Sequence, residues 1–101
     1  MSKSLVAVTI LDQLGGNRFI AMTGARNFLG GERELQFRIP LALPHGINAV
    51  RVRLTSADLY DISFYRTGPG LRLRTIREDE GIYYDQLQEV FTAATGLSTQ
   101  L

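Results

Sequence analysis

Glu34-Leu35-Gln36-Phe37-Arg38-Ile39 decides the fold, together with two stretches that repeat its pattern, Ala49-Val50-Arg51-Val52-Arg53-Leu54 and Leu59-Tyr60-Asp61-Ile62-Ser63-Phe64-Tyr65. In the first, Leu35, Phe37 and Ile39 alternate with Glu34, Gln36 and Arg38. In the second, Val50, Val52 and Leu54 alternate with Ala49, Arg51 and Arg53. In the third, Leu59 (or Tyr60), Ile62 and Phe64 alternate with Asp61, Ser63 and Tyr65. A period of two with one apolar side is what a half-buried antiparallel strand requires. Between these runs the residues are those of turns: Pro40 and Pro44-His45-Gly46, then Thr55-Ser56-Ala57-Asp58. Thr67-Gly68-Pro69-Gly70 makes a tight turn into a fourth run, Leu71-Arg72-Leu73-Arg74, extending to Ile76.

On the N-terminal side, Leu5, Val8, Leu11 and Leu14 recur near a 3.6-residue period, with Ser4 as a cap and Gly15-Gly16 as a stop, so a short helix is expected from Ser4 to Leu14, although the β-branched Val6, Val8, Thr9 and Ile10 also suit a strand. Asn17 to Thr23 contains four consecutive apolar residues, Phe19 to Met22, and reads as a strand buried on both faces. Gly24 ends it, and a loop with Asn27 and Gly30-Gly31 follows. On the C-terminal side a helix is expected to open at Asp79 or Glu80. Its apolar stripe is Tyr83, Leu87, Val90, Phe91 and Ala94, Gly96 is its C-cap, and Leu97 folds back on the stripe. The fold class is therefore α+β: a single antiparallel sheet of four to five strands, with a short N-terminal helix and a C-terminal helix packed on one face. The whole chain, 1–101, reads as one domain.

Composition bounds the chemistry. The 101 residues are 45% hydrophobic and 21% charged, the profile of a globular domain that buries roughly 65% of its unfolded surface without metal or disulfide staples. With no cysteine there is no disulfide framework, thiolate metal site, iron–sulfur cluster or cysteine nucleophile. His45, the single histidine, sits in a turn with no Asp, Ser or Cys beside it to make it a base. Glu78-Asp79-Glu80 lacks the spacing of a calcium loop and reads as the charge complement of a helix N-terminus. Neither glycine pair follows a strand and opens a helix, as a phosphate-binding loop must. No enzymatic activity and no cofactor are expected. No apolar run approaches the ~18 residues of a membrane span and no signal peptide is apparent, so a cytoplasmic location is expected.

The net charge of +1 hides an asymmetry. From Arg33 to Arg77 eight arginines stand against three acids, a balance of +5; from Glu78 onward five acids stand against no base, a balance of −5. Acidic helix and basic sheet can neutralise each other, or the basic part can meet a partner. If the alternation holds, Arg38, Arg51, Arg53, Arg72 and Arg74 share the polar side of the sheet with Tyr65 and Gln36. Guanidinium groups there neutralise phosphate or stack on bases, and tyrosine adds a stacking surface, so single-stranded nucleic acid is one expected partner. A protein-binding face and a plainly solvated face are the alternatives, since no RNP-type motif appears and strand faces carry arginine for solubility. A homodimer through a sheet edge is a further alternative. So is a helix that presents Tyr84, Asp85, Gln88 and Glu89 to a basic partner.

The stretch Gly15-Gly16-Asn17-Arg18-Phe19-Ile20-Ala21-Met22-Thr23-Gly24-Ala25-Arg26-Asn27-Phe28 resembles the opening of small uncharacterised proteins encoded by bacteriophages, prophages and other mobile elements. The resemblance continues through Leu35 to Pro40, Asp58 to Ile62, Gly81 to Leu87 and Val90 to Leu97; the Gly-Pro-Gly turn and the arginines around it lie outside it. It implies no activity, cofactor or catalytic residue. It does imply a bacterial host cytoplasm and two kinds of partner: nucleic acid, or a host protein that the chain binds and disables.

Overall fold

The computed structural model describes residues 5–40, 43, 46–68 and 73–99. In chain order the elements are α1 (Leu5–Leu14), α2 (Asn17–Thr23), β1 (Arg26–Gly30), β2 (Glu34–Arg38), β3 (Ala49–Leu54), β4 (Tyr60–Arg66), β5 (Arg74–Ile82), a 3-10 turn (Tyr84–Gln86) and α3 (Leu87–Thr95). The five strands form one antiparallel sheet in the order β1-β2-β3-β4-β5. The helices cover one face, and the class is α+β as the alternating runs require.

The register follows the alternation residue by residue. Leu35 lies opposite Val52 and Phe37 opposite Val50; those in turn face Ile62 and Phe64, and all six are buried. Four phenylalanines from four elements close the core over them. Phe19 of α2 meets Phe37 and Phe91 edge-on at 5.3 and 5.2 Å between ring centroids, and Phe64 lies 6.4 Å from Phe91. Burying each such ring contributes about 1.5–3 kcal/mol, and edge-to-face contact adds on the order of 0.5–1.5 kcal/mol. In α3 the buried residues are Leu87, Phe91, Ala94 and Thr95, with Val90 and Leu97 half-buried against the core. Gly96 caps it as expected, its N–H donating to the Thr92 carbonyl at 2.8 Å.

Four local expectations are corrected. Residues 17–23 form a helix, not a strand. Only Phe19 and Thr23 are buried, four residues apart on one helical face, and the Thr23 hydroxyl donates to the Phe19 carbonyl at 2.7 Å. A short apolar run does not reveal its own period, and Gly15 settles it here. At φ +128° it turns the chain between two helices where an added Cβ would lie 2.9 Å from the Thr99 carbonyl oxygen. In α1 the buried face is Ala7, Ile10 and Leu14, while Leu5 is 83% exposed. Steps of three drift backward by about 60° each, so Leu5 lies half a turn from Leu14.

The supposed loop at 26–30 is strand β1. It escapes pattern reading because only Phe28 is even half-buried, and a bulge with Asn27 at φ 58° breaks its register. The acids Glu78, Asp79 and Glu80 belong to β5, not to a helix N-terminus. α3 begins only at Leu87, after Gly81 and the 3-10 turn, in which the Tyr83 N–H donates to the Gln86 side chain at 3.2 Å. Tyr83 is accordingly exposed and outside the stripe. The Ser4 cap, His45, the Pro69-Gly70 part of the turn and the Leu71-Arg72 part of the fourth run lie outside the described residues.

Candidate nucleic-acid interface

Three cross-strand rows make up the polar side of the sheet. Glu34, Arg53 and Asp61 are in register in the first; Gln36, Arg51, Ser63 and Glu78 in the second; Arg26, Arg38, Ala49, Tyr65 and Thr75 in the third. Arg38, Arg51, Arg53, Tyr65 and Gln36 therefore share one side, as their alternation predicts. Arg74 does not join them. A register shift between Phe64 and Tyr65 sets Arg74 opposite Arg66 and puts Thr75 beside Tyr65, where an arginine was expected. Arg72 lies outside the described residues.

In the first two rows two arginines stand among three carboxylates, and both are paired. Arg51 donates from Nε and Nη2 to Glu34 Oε1 at 3.1 and 2.7 Å, and Gln36 donates to Glu34 Oε2 at 2.7 Å. Arg53 pairs with Asp61 at 3.4 Å, and the Ser63 hydroxyl donates to Glu78 at 3.2 Å. Partial burial pushes the Glu34 carboxyl upward, but the hydrogen bonds from Gln36 and Arg51 and the charges of Arg51 and Arg53 outweigh it and hold it below its ordinary 4.5. The Glu34 hydrogen bond raises Arg51 in turn, against partial burial and with help from Tyr65. The strand arginines Arg51 and Arg53 are thus matched by Glu34 and Asp61, two acids of the basic middle itself, and none of the ion pairs found among the described residues joins a helix to the sheet. Arg77 pairs with Asp79 within β5 at 2.7 Å, and Arg33 donates to the Leu54 and Thr55 carbonyls at 3.2 and 3.0 Å.

The third row ends differently. Arg26, Arg38 and Arg66 line an open cleft of ≈ 510 Å³ at the end of the sheet, with Pro40, Asn48 and three aliphatic side chains, and no carboxylate among its described lining residues. None of the three has a side-chain hydrogen bond or ion pair with another described residue. Their placement has identifiable causes. Arg26 and Arg38 are register partners across β1 and β2. Arg66 ends β4 on the side away from Tyr65, and its guanidinium lies so close to Gly46, at φ +78°, that a Cβ there would overlap it. Asn48 ties the two strand ends together: its amide donates to the Thr67 carbonyl at 2.6 Å and its carbonyl accepts the Thr67 N–H at 2.9 Å. Sequence reading missed Arg26, because its strand has no alternation, and Arg66, because it follows the last inward residue of its run.

Among the described residues no group of three or more His, Cys, Asp or Glu is placed to hold a metal, and no helix is long and apolar enough to cross a membrane. The helix residues Tyr84, Asp85, Gln88 and Glu89 line a separate groove, but Gln88 is committed to the fold. It donates to the Gln13 carbonyl at 3.2 Å and accepts from the Thr99 hydroxyl at 2.9 Å. Comparison with known proteins yields no match: no family model, no curated protein and no solved structure is similar to the chain.

Proposed function

We propose that this is a non-enzymatic binding protein of phage or mobile-element type that holds single-stranded nucleic acid at the Arg26–Arg38–Arg66 end of its sheet. One observation carries the reading: three arginines converge on one cleft with no acid among its described lining residues, while Arg51 and Arg53, on the sheet face that carries Arg26 and Arg38, are spent on carboxylates. A guanidinium donates hydrogen bonds in a planar fork that fits phosphate oxygens, and it neither gives up nor takes a proton at working pH, which suits binding rather than acid–base chemistry. The neighbouring tyrosine and open strand face favour a single strand, whose bases are free to stack.

The alternative, a protein partner or second copy added to a sheet edge, has less support. β1 is five residues long and bulged, and β5 carries Arg74, Arg77, Glu78, Asp79 and Glu80. Both are features that block edge pairing. Fluorescence anisotropy of a labelled oligothymidylate at low salt tests the proposal. Binding that is lost in the Arg26→Ser, Arg38→Ser double variant and kept in Arg53→Ser supports it; no binding by the parent removes it.

A further inference from the structure

Two leucines stand exposed on the charged side of the sheet, Leu29 at 66% and Leu73 at 62%. They are not scattered. Both line one groove of ≈ 450 Å³ with Ala49, Tyr65, Arg38 and Arg51. Ala49 is the smallest residue of its row, between Arg38 on β2 and Tyr65 on β4, so the face dips there. From this we infer that the groove seats one nucleobase of the bound strand, stacked beside Tyr65 over Ala49 between the two leucines.

The inference rests on the proposed nucleic-acid reading and adds to it the place and chemistry of base contact. A nucleobase is flat, with apolar faces and polar edges. The groove offers apolar walls, a phenol ring and guanidinium planes for the faces, and Gln36, also in its lining, for an edge. Arg38 lines both this groove and the arginine cleft, so a base in one and its phosphate in the other belong to neighbouring parts of a single nucleotide chain. The remaining lining is Asn27, Phe28, Phe37, Val50 and Thr67; contact is carried by the faces, which every base presents, so the seat is sequence-tolerant.

The test compares two labelled strands of equal length and charge, an oligothymidylate and a strand of abasic sites, at the same salt. The parent is expected to bind the base-bearing strand about tenfold tighter, within the range that one stacked base supplies. Ala49→Leu, which fills the dip, is expected to bring the two strands to the same affinity. Leu73→Ser, a change at an exposed position, narrows the ratio without depending on how the sheet accepts a larger residue. Equal binding of both strands by the parent overturns the base seat and leaves the phosphate cleft standing. A tenfold ratio that survives both variants overturns its location. Binding of neither strand overturns the nucleic-acid reading together with the seat built on it.

Discussion

The two ends of the polar sheet face use the same residue type in opposite ways. Toward the Glu34 end, Arg51 and Arg53 face Glu34 and Asp61 across the strands, so their charges are consumed within the sheet. Toward the Asn48 end, Arg26 and Arg38, joined around the end of the sheet by Arg66 from the other side of β4, meet no described carboxylate and border an open cleft. All five arginines belong to strands in the one sheet. Strand pairing sets which arginines meet a carboxylate and which do not, which shows how little a count of basic residues says about a surface.

The comparison assumes one rigid platform under both ends, and Phe91→Ala tests that first. Its ring touches Phe19, Phe37 and Phe64, from elements beneath both regions, so the loss is expected to be about 3–5 kcal/mol in a urea melt. A loss below about 1 kcal/mol would mean the sheet is not supported as described.

Salt dependence separates the two ends next. Each phosphate contact on a single strand contributes about 0.7 to the slope of log affinity against log salt. Replacing Arg26, Arg38 and Arg66 by serine should therefore lower the slope by about 2, equivalent to a roughly twentyfold weaker salt response between 50 and 200 mM. Replacing Arg51 and Arg53 instead should leave the slope alone, and an equal drop in both variants would abolish the distinction.

Gly46→Ala gives a smaller effect on the cleft end alone. A left-handed φ of +78° costs about 1–2 kcal/mol with a Cβ present, and the added methyl displaces the Arg66 guanidinium. Stability and oligonucleotide affinity should fall together, whereas affinity unchanged at reduced stability would separate Arg66 from binding.

The smallest effect belongs to the paired end and depends on pH. The Glu34 carboxyl lies below its ordinary 4.5 in the folded chain, so the stability it contributes is fully present above the unfolded value and is lost as pH falls through the lower folded one. Being a largely surface pair, it is expected to contribute no more than about 1 kcal/mol. Urea melts at neutral pH and below pH ~4 should show Glu34→Gln losing less stability on acidification than the parent. Oligonucleotide binding, which relies on guanidinium groups, should stay flat between about pH 5 and 9.

Much of this architecture is legible in the sequence, for a physical reason. Strands β2, β3 and β4 each bury one face, so Leu35, Phe37, Val50, Val52, Ile62 and Phe64 announce themselves by period, and the polar side follows by subtraction. The α3 stripe is legible in the same way from Leu87 to Ala94. Reading fails where one side chain in two does not face the core. β1 is an exposed edge, α2 presents only Phe19 and Thr23 inward, and β5 has Ile76 half-buried and Ile82 buried among charged residues.

The chain by itself determined which residues of β2, β3 and β4 enter the core and that Arg38, Arg51, Arg53 and Tyr65 share a side, because alternation is a local property of extended backbone. Tertiary structure alone decided which of those arginines are paired with a carboxylate. That depends on Glu34 arriving opposite Arg53 and beside Arg51, on β4 bringing Asp61 to Arg53, and on Arg26 of β1 and Arg66 of β4 lining one cleft with Arg38. Such pairings join residues of different strands, and no period along the chain encodes which partner a strand will meet.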